Sequence, residues 1–125
     1  MPRVLIADDE EAMRMLVGRA IAMDGHHVVV AQDGAEALEI LNREDGAFDL
    51  LLTDIKMPVM DGIALALAAA RDFPDLTILL MTGFADQRER AHGLDAIIHD
   101  VITKPFSVAG IRTAVSAALG VRNTA

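Results

Sequence analysis

Five short apolar runs recur along the chain at intervals of roughly 25 residues, and a helical pattern follows each of them. The runs occupy residues 4–7, 28–30, 48–52, 76–81 and 99–102. Because they are continuous rather than alternating, they predict strands that are covered on both faces, as in parallel sheets. The sequence therefore predicts an α/β fold in which a five-stranded parallel sheet lies between two layers of helices.

Capping residues and apolar periodicity predict the helices. Asp33, Asp61 and Ser107 each precede a helical pattern, and Glu36 suits a capping box with Asp33. The apolar face of the first helix is predicted to carry Met13, Leu16, Val17, Ala20 and Ile21. The inward faces of the second and last helices are predicted to carry Ala37, Leu38 and Leu41, and Val108, Ile111, Val115 and Leu119.

The helical pattern at residues 84–94 has the poorest apolar face of the five. Gly25 and Gly120 are predicted to end the first and last helices, since glycine commonly follows a helix C-terminus. We expect a single domain at residues 1–120, a short tail at 121–125 and no output domain.

Composition narrows the function classes. The 125 residues carry a net charge of −8, with scattered basic residues, so we expect no nucleic-acid binding. The chain has no cysteine, and no apolar stretch approaches the length of about 18 residues that a membrane span needs. We therefore expect a cytoplasmic protein without membrane insertion.

Polar residues follow four of the apolar runs. Asp8 and Asp9 follow the first, Asp54 the third, Thr82 the fourth and Lys104 the fifth. The carboxyl ends of parallel strands lie at one edge of a sheet, so these side chains should meet there. We take the strand order 2-1-3-4-5 from flavodoxin-like folds, which would set the first and third strands side by side.

Three neighbouring carboxylates repel one another unless a cation lies between them or their pKa values rise. Mg²⁺ suits such oxygen ligands and keeps sites for water or a phosphoryl group. Lys104 and Thr82 add a positive charge and a hydroxyl that can bind phosphoryl oxygens. The pattern indicates an aspartate that accepts phosphate. In isolation, Asp8 and Asp9 would read as acids at a helix N-terminus, and Asp61 reads as a helix cap.

The sequence resembles the receiver domain of bacterial two-component response regulators. Its motifs are Asp8-Asp9, residues 54–62, Thr82-Gly83 and residues 104–106. The resemblance implies that Asp54 is phosphorylated by a sensor histidine kinase or a histidine phosphotransfer protein. It implies an Mg²⁺ site formed by Asp8, Asp9, Asp54 and the Lys56 carbonyl group, and a phosphoryl site formed by Thr82 and Lys104.

The resemblance also implies a cis bond before Pro105, and side chains at Lys56 and Phe84 that tune dephosphorylation. Receivers usually carry an aromatic residue or histidine where this chain has Val101, a switch position that follows the threonine. We therefore hypothesise that phosphorylation shifts residues 85–98 instead, because their poor apolar face makes rearrangement easy.

Residues 81–85, Val101 and the expected lack of an output domain make the chain similar to stand-alone regulators of the CpdR type. That similarity implies an adaptor that engages the ClpXP protease and its substrates when unphosphorylated. A phosphorelay intermediate or phosphate sink is the alternative within the same fold. A small Mg²⁺-dependent aspartyl-phosphate phosphatase is the alternative enzyme, although Lys56 stands where its general acid is needed.

Overall fold

A computed structural model describes residues 2–83, 91–104 and 107–123 of the chain. Five parallel strands form one sheet, in the order β2-β1-β3-β4-β5. Their bounds are β1 Arg3–Ala7, β2 His27–Ala31, β3 Leu50–Asp54, β4 Thr77–Thr82 and β5 Asp100–Thr103. The predicted parallel α/β fold and its strand order are confirmed.

The described residues contain four α-helices, which we number in chain order. They are α1 Glu11–Ala22, α2 Gly34–Arg43, α3 Gly62–Asp72 and α4 Val108–Asn123. Of the predicted helix at residues 84–94, residues 84–90 lie outside the described part. The remainder forms a short 3-10 turn at His92–Leu94. Of the segment that we expect phosphorylation to shift, residues 85–98, the structure describes only residues 91–98, so that hypothesis stays a prediction.

The central strands are buried on both faces, as the continuous apolar runs predicted. On one face, Leu5, Leu51 and Leu80 pack with residues of α2 and α3. On the other face, Ile6 and Leu52 pack with residues of α1 and α4. A strand between two apolar layers cannot leave a polar side chain in contact with water except near its end, which places Asp54 at the tip of β3.

The predicted helix caps are confirmed. The Asp33 side chain accepts a hydrogen bond from the Glu36 amide, and Asp61 accepts one from the Ala64 amide. Ser107 accepts one from the Gly110 amide in the same way. Glu36 accepts from the amide of Gln32, so the reciprocal bond of the capping box reaches one residue further back than predicted.

Two details of the helices differ from prediction. Leu16 is 39% exposed, because the apolar face of α1 narrows to Val17, Ala20 and Ile21 where it meets the sheet. The last helix continues past Gly120 to Asn123. Gly120 does not adopt a positive φ, so nothing at this residue stops the helix. Among the described residues, none of the helices is long and apolar enough to cross a membrane.

Candidate functional site

Asp54 is the last residue of β3 and is only 5% exposed. Its Oδ1 accepts a hydrogen bond of 3.0 Å from the Ile55 amide. That amide also lies 3.0 Å from the carbonyl oxygen of Met81 on the neighbouring strand β4. The carboxylate is therefore fixed at the boundary between the apolar core and the strand-tip surface.

Asp8 and Asp9 follow β1, the strand that pairs with β3. Asp8 is fully buried, while Asp9 is exposed. The Asp8 Oδ1 atom accepts a hydrogen bond of 3.0 Å from the Glu10 amide. One carboxylate oxygen from each of Asp8, Asp9 and Asp54 lies within 4.8 Å of the others. The structure thus brings together the three acids that the sequence placed at this edge.

Lys104 follows β5 and reaches across the strand tips to both buried acids. Its Nζ lies 3.3 Å from Asp54 Oδ1 and 3.6 Å from Asp8 Oδ2. The Lys104 amide donates a 2.7 Å hydrogen bond to the carbonyl oxygen of Thr82, the buried last residue of β4. Thr82 and Lys104 therefore lie on adjacent strand ends beside Asp54.

The electrostatics of the site are unfavourable for the metal-free protein. Burial raises the pKa of Asp54 to about 6, although Lys104 opposes this shift. Burial also raises the pKa of Asp8, against the Glu10 amide bond and Lys104. One lysine thus faces two buried acids and the exposed Asp9, which leaves the cluster short of positive charge.

The residues present fit a divalent cation. Asp8 Oδ2 is buried and has no hydrogen-bond partner among the described residues, and it belongs to the three-acid cluster. Carboxylate oxygens are the ligands that Mg²⁺ prefers, and a cation would relieve their mutual repulsion. Asp8, Asp9 and Asp54 could therefore hold Mg²⁺. The fourth predicted contributor, the Lys56 carbonyl group, belongs to the loop directly after Asp54.

Tight backbone contacts fix this loop between β3 and α3. A Cβ atom at Gly62 would overlap the Asp54 carbonyl oxygen, and one at Gly34 would overlap the Met60 carbonyl oxygen. The Gly62 amide donates to the Ile55 carbonyl group at 2.8 Å. Between these anchors, Val59 adopts a φ of 69° and is 85% exposed. Such a φ is a genuine outlier for a β-branched residue, so the loop is strained.

Val101 lies in β5, half-buried against the core on the α2 and α3 face of the sheet. Phe84 and Pro105 fall outside the described residues, so their predicted roles stay predictions.

The sequence reasoning missed Arg14, whose Nη1 donates a 2.8 Å hydrogen bond to the Asp8 carbonyl oxygen. An arginine in α1 that follows the acidic pair was the available signal, but the same pattern fits a solvated surface cation.

Comparison with known protein families identifies the family of the chain. The model of the response regulator receiver domain matches residues 4–116. The chain belongs to this family. Receiver domains bind Mg²⁺ at an acidic pocket and accept phosphate from a kinase or phosphotransfer partner. In this receiver, the acids at the corresponding edge are Asp8, Asp9 and Asp54.

Curated relatives agree with this assignment. The receiver is 48% identical over 85 residues to the response regulator receiver protein CpdR of Brucella abortus, covering 68% of this chain and 69% of that protein. It is 35% identical over 117 residues to the response regulator MprA of Mycobacterium leprae, covering 94% of this chain and 50% of that protein. The chain thus spans about half the length of MprA.

Solved structures show the same fold. A CheY-like receiver domain protein of Methanospirillum hungatei superposes with a TM-score of 0.89 at 27% identity, covering 99% of this chain and 98% of that one. The response regulator TrrA of Thermotoga maritima, solved in complex with Mg²⁺ and BeF, superposes with a TM-score of 0.82 at 26% identity. That match covers 94% of this chain and 99% of TrrA.

Proposed function

We propose that Asp54 accepts a phosphoryl group from the phosphohistidine of a sensor histidine kinase or a histidine phosphotransfer protein in the cytoplasm. The observation that carries this proposal is the position of the Asp54 carboxylate. It lies at the strand tips, with Lys104 Nζ at 3.3 Å and carboxylate oxygens of Asp8 and Asp9 within 4.8 Å. Phosphorylation would then change which protein partner the receiver binds.

The two oxygens of Asp54 would have different tasks. Oδ1 accepts from the Ile55 amide and contacts Lys104, so we assign the attack on phosphorus to Oδ2. A new O–P bond forms while the P–N bond breaks, and the donor imidazole leaves with its electron pair. Burial raises the pKa of Asp54, while Lys104 and a bound cation would favour the ionised carboxylate, which is the form that can act as this nucleophile.

Asp8, Asp9, Asp54 and the Lys56 carbonyl group would hold Mg²⁺. When bound, Mg²⁺ supplies positive charge to the carboxylates and to the phosphoryl oxygens. Lys104 would neutralise a phosphoryl oxygen after transfer, and the Thr82 hydroxyl group would donate to another. Water later hydrolyses the acyl phosphate, at a rate that Lys56 and Phe84 would tune. The receiver would therefore catalyse only its own phosphorylation and dephosphorylation.

Mass spectrometry after incubation with acetyl phosphate and Mg²⁺ tests the phosphoacceptor. We expect added phosphoryl mass in the wild type and in Asp72→Ala, a control that removes an exposed acid paired with Arg71. Asp54→Ala should gain none. Absence of the added mass from the wild type, or equal mass in all three proteins, would overturn the assignment.

Thr82 and Lys104 are the residues that we propose couple phosphorylation to partner choice. A phosphoryl group can shift a conformational equilibrium only if it binds one state better than the other, and these two residues lie where such contacts would form. Thr82→Ala should still be phosphorylated, but its partner binding should respond little to phosphorylation. A full response in this variant would contradict the role.

For the output, we propose a CpdR-like adaptor that engages the ClpXP protease when unphosphorylated. The 48% identity to CpdR of Brucella abortus supports this choice. A pull-down from cell lysate with Asp54→Ala and with wild type phosphorylated with acetyl phosphate, probed for ClpX and for histidine kinases and phosphotransfer proteins, tests it. Retention by Asp54→Ala alone is expected. Retention by neither form, with recovery of kinases or phosphotransfer proteins only, would favour a phosphorelay intermediate or phosphate sink.

A further inference from the structure

Arg14 makes an unusual contact for a surface arginine at the start of a helix. Its Nη1 donates to the Asp8 carbonyl oxygen at 2.8 Å, across the turn from β1 into α1. Arg14 is half-buried, and none of the ion pairs among the described residues includes it. Within the described part of the chain, the guanidinium group is therefore directed at the backbone of a site residue and not at a carboxylate.

Helix stability does not explain a cation at this position. Arg14 lies in the first turns of α1, where its amide donates to the Glu10 carbonyl group. The positive end of a helix favours acidic side chains and disfavours basic ones. The helix dipole therefore gives no reason for a cation here, whereas the contact of the side chain with Asp8 does.

Asp8 is held at three points, and Arg14 supplies one of them. The Asp8 amide donates to the Ala31 carbonyl group of β2 at 3.2 Å, and Asp8 Oδ1 accepts from the Glu10 amide at 3.0 Å. Arg14 holds the Asp8 carbonyl oxygen. These bonds leave Asp8 Oδ2 as the buried oxygen without a hydrogen-bond partner among the described residues, within the three-acid cluster.

We propose that Arg14 is a positioning residue for the cation site: by holding the Asp8 carbonyl group, it fixes the Asp8 carboxylate in the orientation that a shared divalent cation needs. The inference rests on the proposed Mg²⁺ site and adds a residue outside its ligands. Groups that orient metal ligands commonly change metal affinity by tenfold or more when they are removed.

The sign of the effect separates positioning from simple electrostatics. Removing a positive charge near an acidic cluster should strengthen cation binding, because it removes a repulsion. Removing a positioning contact should weaken it. Arg14→Gln removes both the charge and the positioning contact. We expect the loss of positioning to dominate, so the Mg²⁺ dissociation constant should rise by about tenfold.

Isothermal titration of the full chain with MgCl₂ at constant ionic strength measures this constant. Arg19→Gln is the matched control, because it removes the same charge from an exposed residue of the same helix. We expect wild-type affinity or slightly tighter binding in Arg19→Gln. Arg14→Met removes the charge and every side-chain donor, whereas Arg14→Gln keeps an amide donor on a shorter stem. Methionine also suits helices, so Arg14→Met carries the test if Arg14→Gln does not fold.

A second measurement separates metal positioning from damage to chemistry. The rate of phosphorylation by acetyl phosphate should show a higher Mg²⁺ requirement in Arg14→Gln, with a wild-type maximum at saturating Mg²⁺. Unchanged or tighter Mg²⁺ binding in the Arg14 variants, or an equal loss in Arg19→Gln, would overturn the inference. Failure of the wild type to bind Mg²⁺ would instead overturn the proposed metal site itself.

Discussion

The strand-tip site and the contact between Asp24 and Arg112 both bring an acid beside a cation that is far away in the sequence. The pKa of the acid shifts in opposite directions in the two places. Arg112 holds Asp24 through Nε and Nη2, with a shortest distance of 2.6 Å, and this hydrogen bonding lowers the Asp24 pKa. At the site, Lys104 lies 3.3 Å from Asp54, yet burial raises the Asp54 pKa to about 6.

Water explains the difference. Asp24 and Arg112 lie at the surface, where water stabilises both charged groups. Their pairing adds a small further stabilisation of the charged forms. Asp54 and Asp8 have lost most of their hydration, and one lysine does not replace it. The surface pair therefore adds to folding stability, while the site reduces it. The strand-tip site costs folding stability, so its arrangement is explained by function and not by stability.

Gly62→Ala should disturb the strand-tip site more than any other substitution proposed here. The added methyl group would overlap the Asp54 carbonyl oxygen, which is backbone and cannot rotate away. We expect a loss of about 3 kcal/mol in the free energy of unfolding, measured with urea, together with slower phosphorylation. Gly120→Ala is the control, because nothing lies within 4 Å of its new methyl group. Equal stability of both variants would contradict this packing.

Asp54→Asn should stabilise the metal-free protein at pH 7. The pKa of Asp54 rises from 3.8 to about 6 on folding, so between these pH values the folded state holds a proton that the unfolded state has released, and at pH 7 folding buries the charged carboxylate. Stability from this group is therefore present below about pH 4 and is lost as pH rises to about 6. With allowance for solvent screening, the gain in Asp54→Asn is on the order of 1–2 kcal/mol.

Urea unfolding in EDTA across this pH range measures the difference between Asp54→Asn and wild type. Asp24→Asn is the control with the opposite sign, because its lowered pKa gives stability that is present at neutral pH and lost in acid. Mg²⁺ should narrow the gap between Asp54→Asn and wild type, since it binds folded wild type. A wild type that is more stable than Asp54→Asn at pH 7 without metal would refute the argument.

Val59→Gly should also stabilise the protein, by about 1 kcal/mol. The φ of 69° at Val59 suits glycine, and the valine side chain is 85% exposed, so little packing is lost. Val30→Gly makes the same change in β2, at a residue that is 45% exposed in regular strand geometry, and it should destabilise. Thermal unfolding of both variants checks the signs. Two losses of stability would contradict strain at Val59.

Much of this contrast could be predicted from the sequence, because parallel strands fix where their ends lie. Once the runs before Asp8 and Asp54 are parallel neighbours, the two acids must meet, and Lys104 must approach from β5. The caps at Asp33 and Asp61 were also predictable, since they depend on a few local residues.

The remainder depends on geometry that no periodicity specifies. Leu16 fits the apolar spacing of α1 but lies beyond the edge of its contact with the sheet. The contact of Arg14 with Asp8 depends on where a long side chain turns, and the positive φ of Val59 falls on a β-branched residue that no sequence pattern would mark. The pKa of Asp54 depends on how deeply β3 is buried, which the sequence indicates only in direction.

The smallest expected effect lies at the surface pair. Arg112→Gln should lower the thermal midpoint slightly at low salt, because Asp24 loses its hydrogen-bond partner and its pKa returns toward the ordinary value. In about 1 M NaCl, where the Debye length is about 3 Å, the difference from wild type should shrink, since exposed pairs are screened. Arg19→Gln, at an exposed arginine outside the ion pairs of the described residues, controls for net charge. A salt-independent loss in Arg112→Gln would mean that the arginine acts through packing of its stem between α1 and α4, and the contrast with Asp54 would then rest on burial alone.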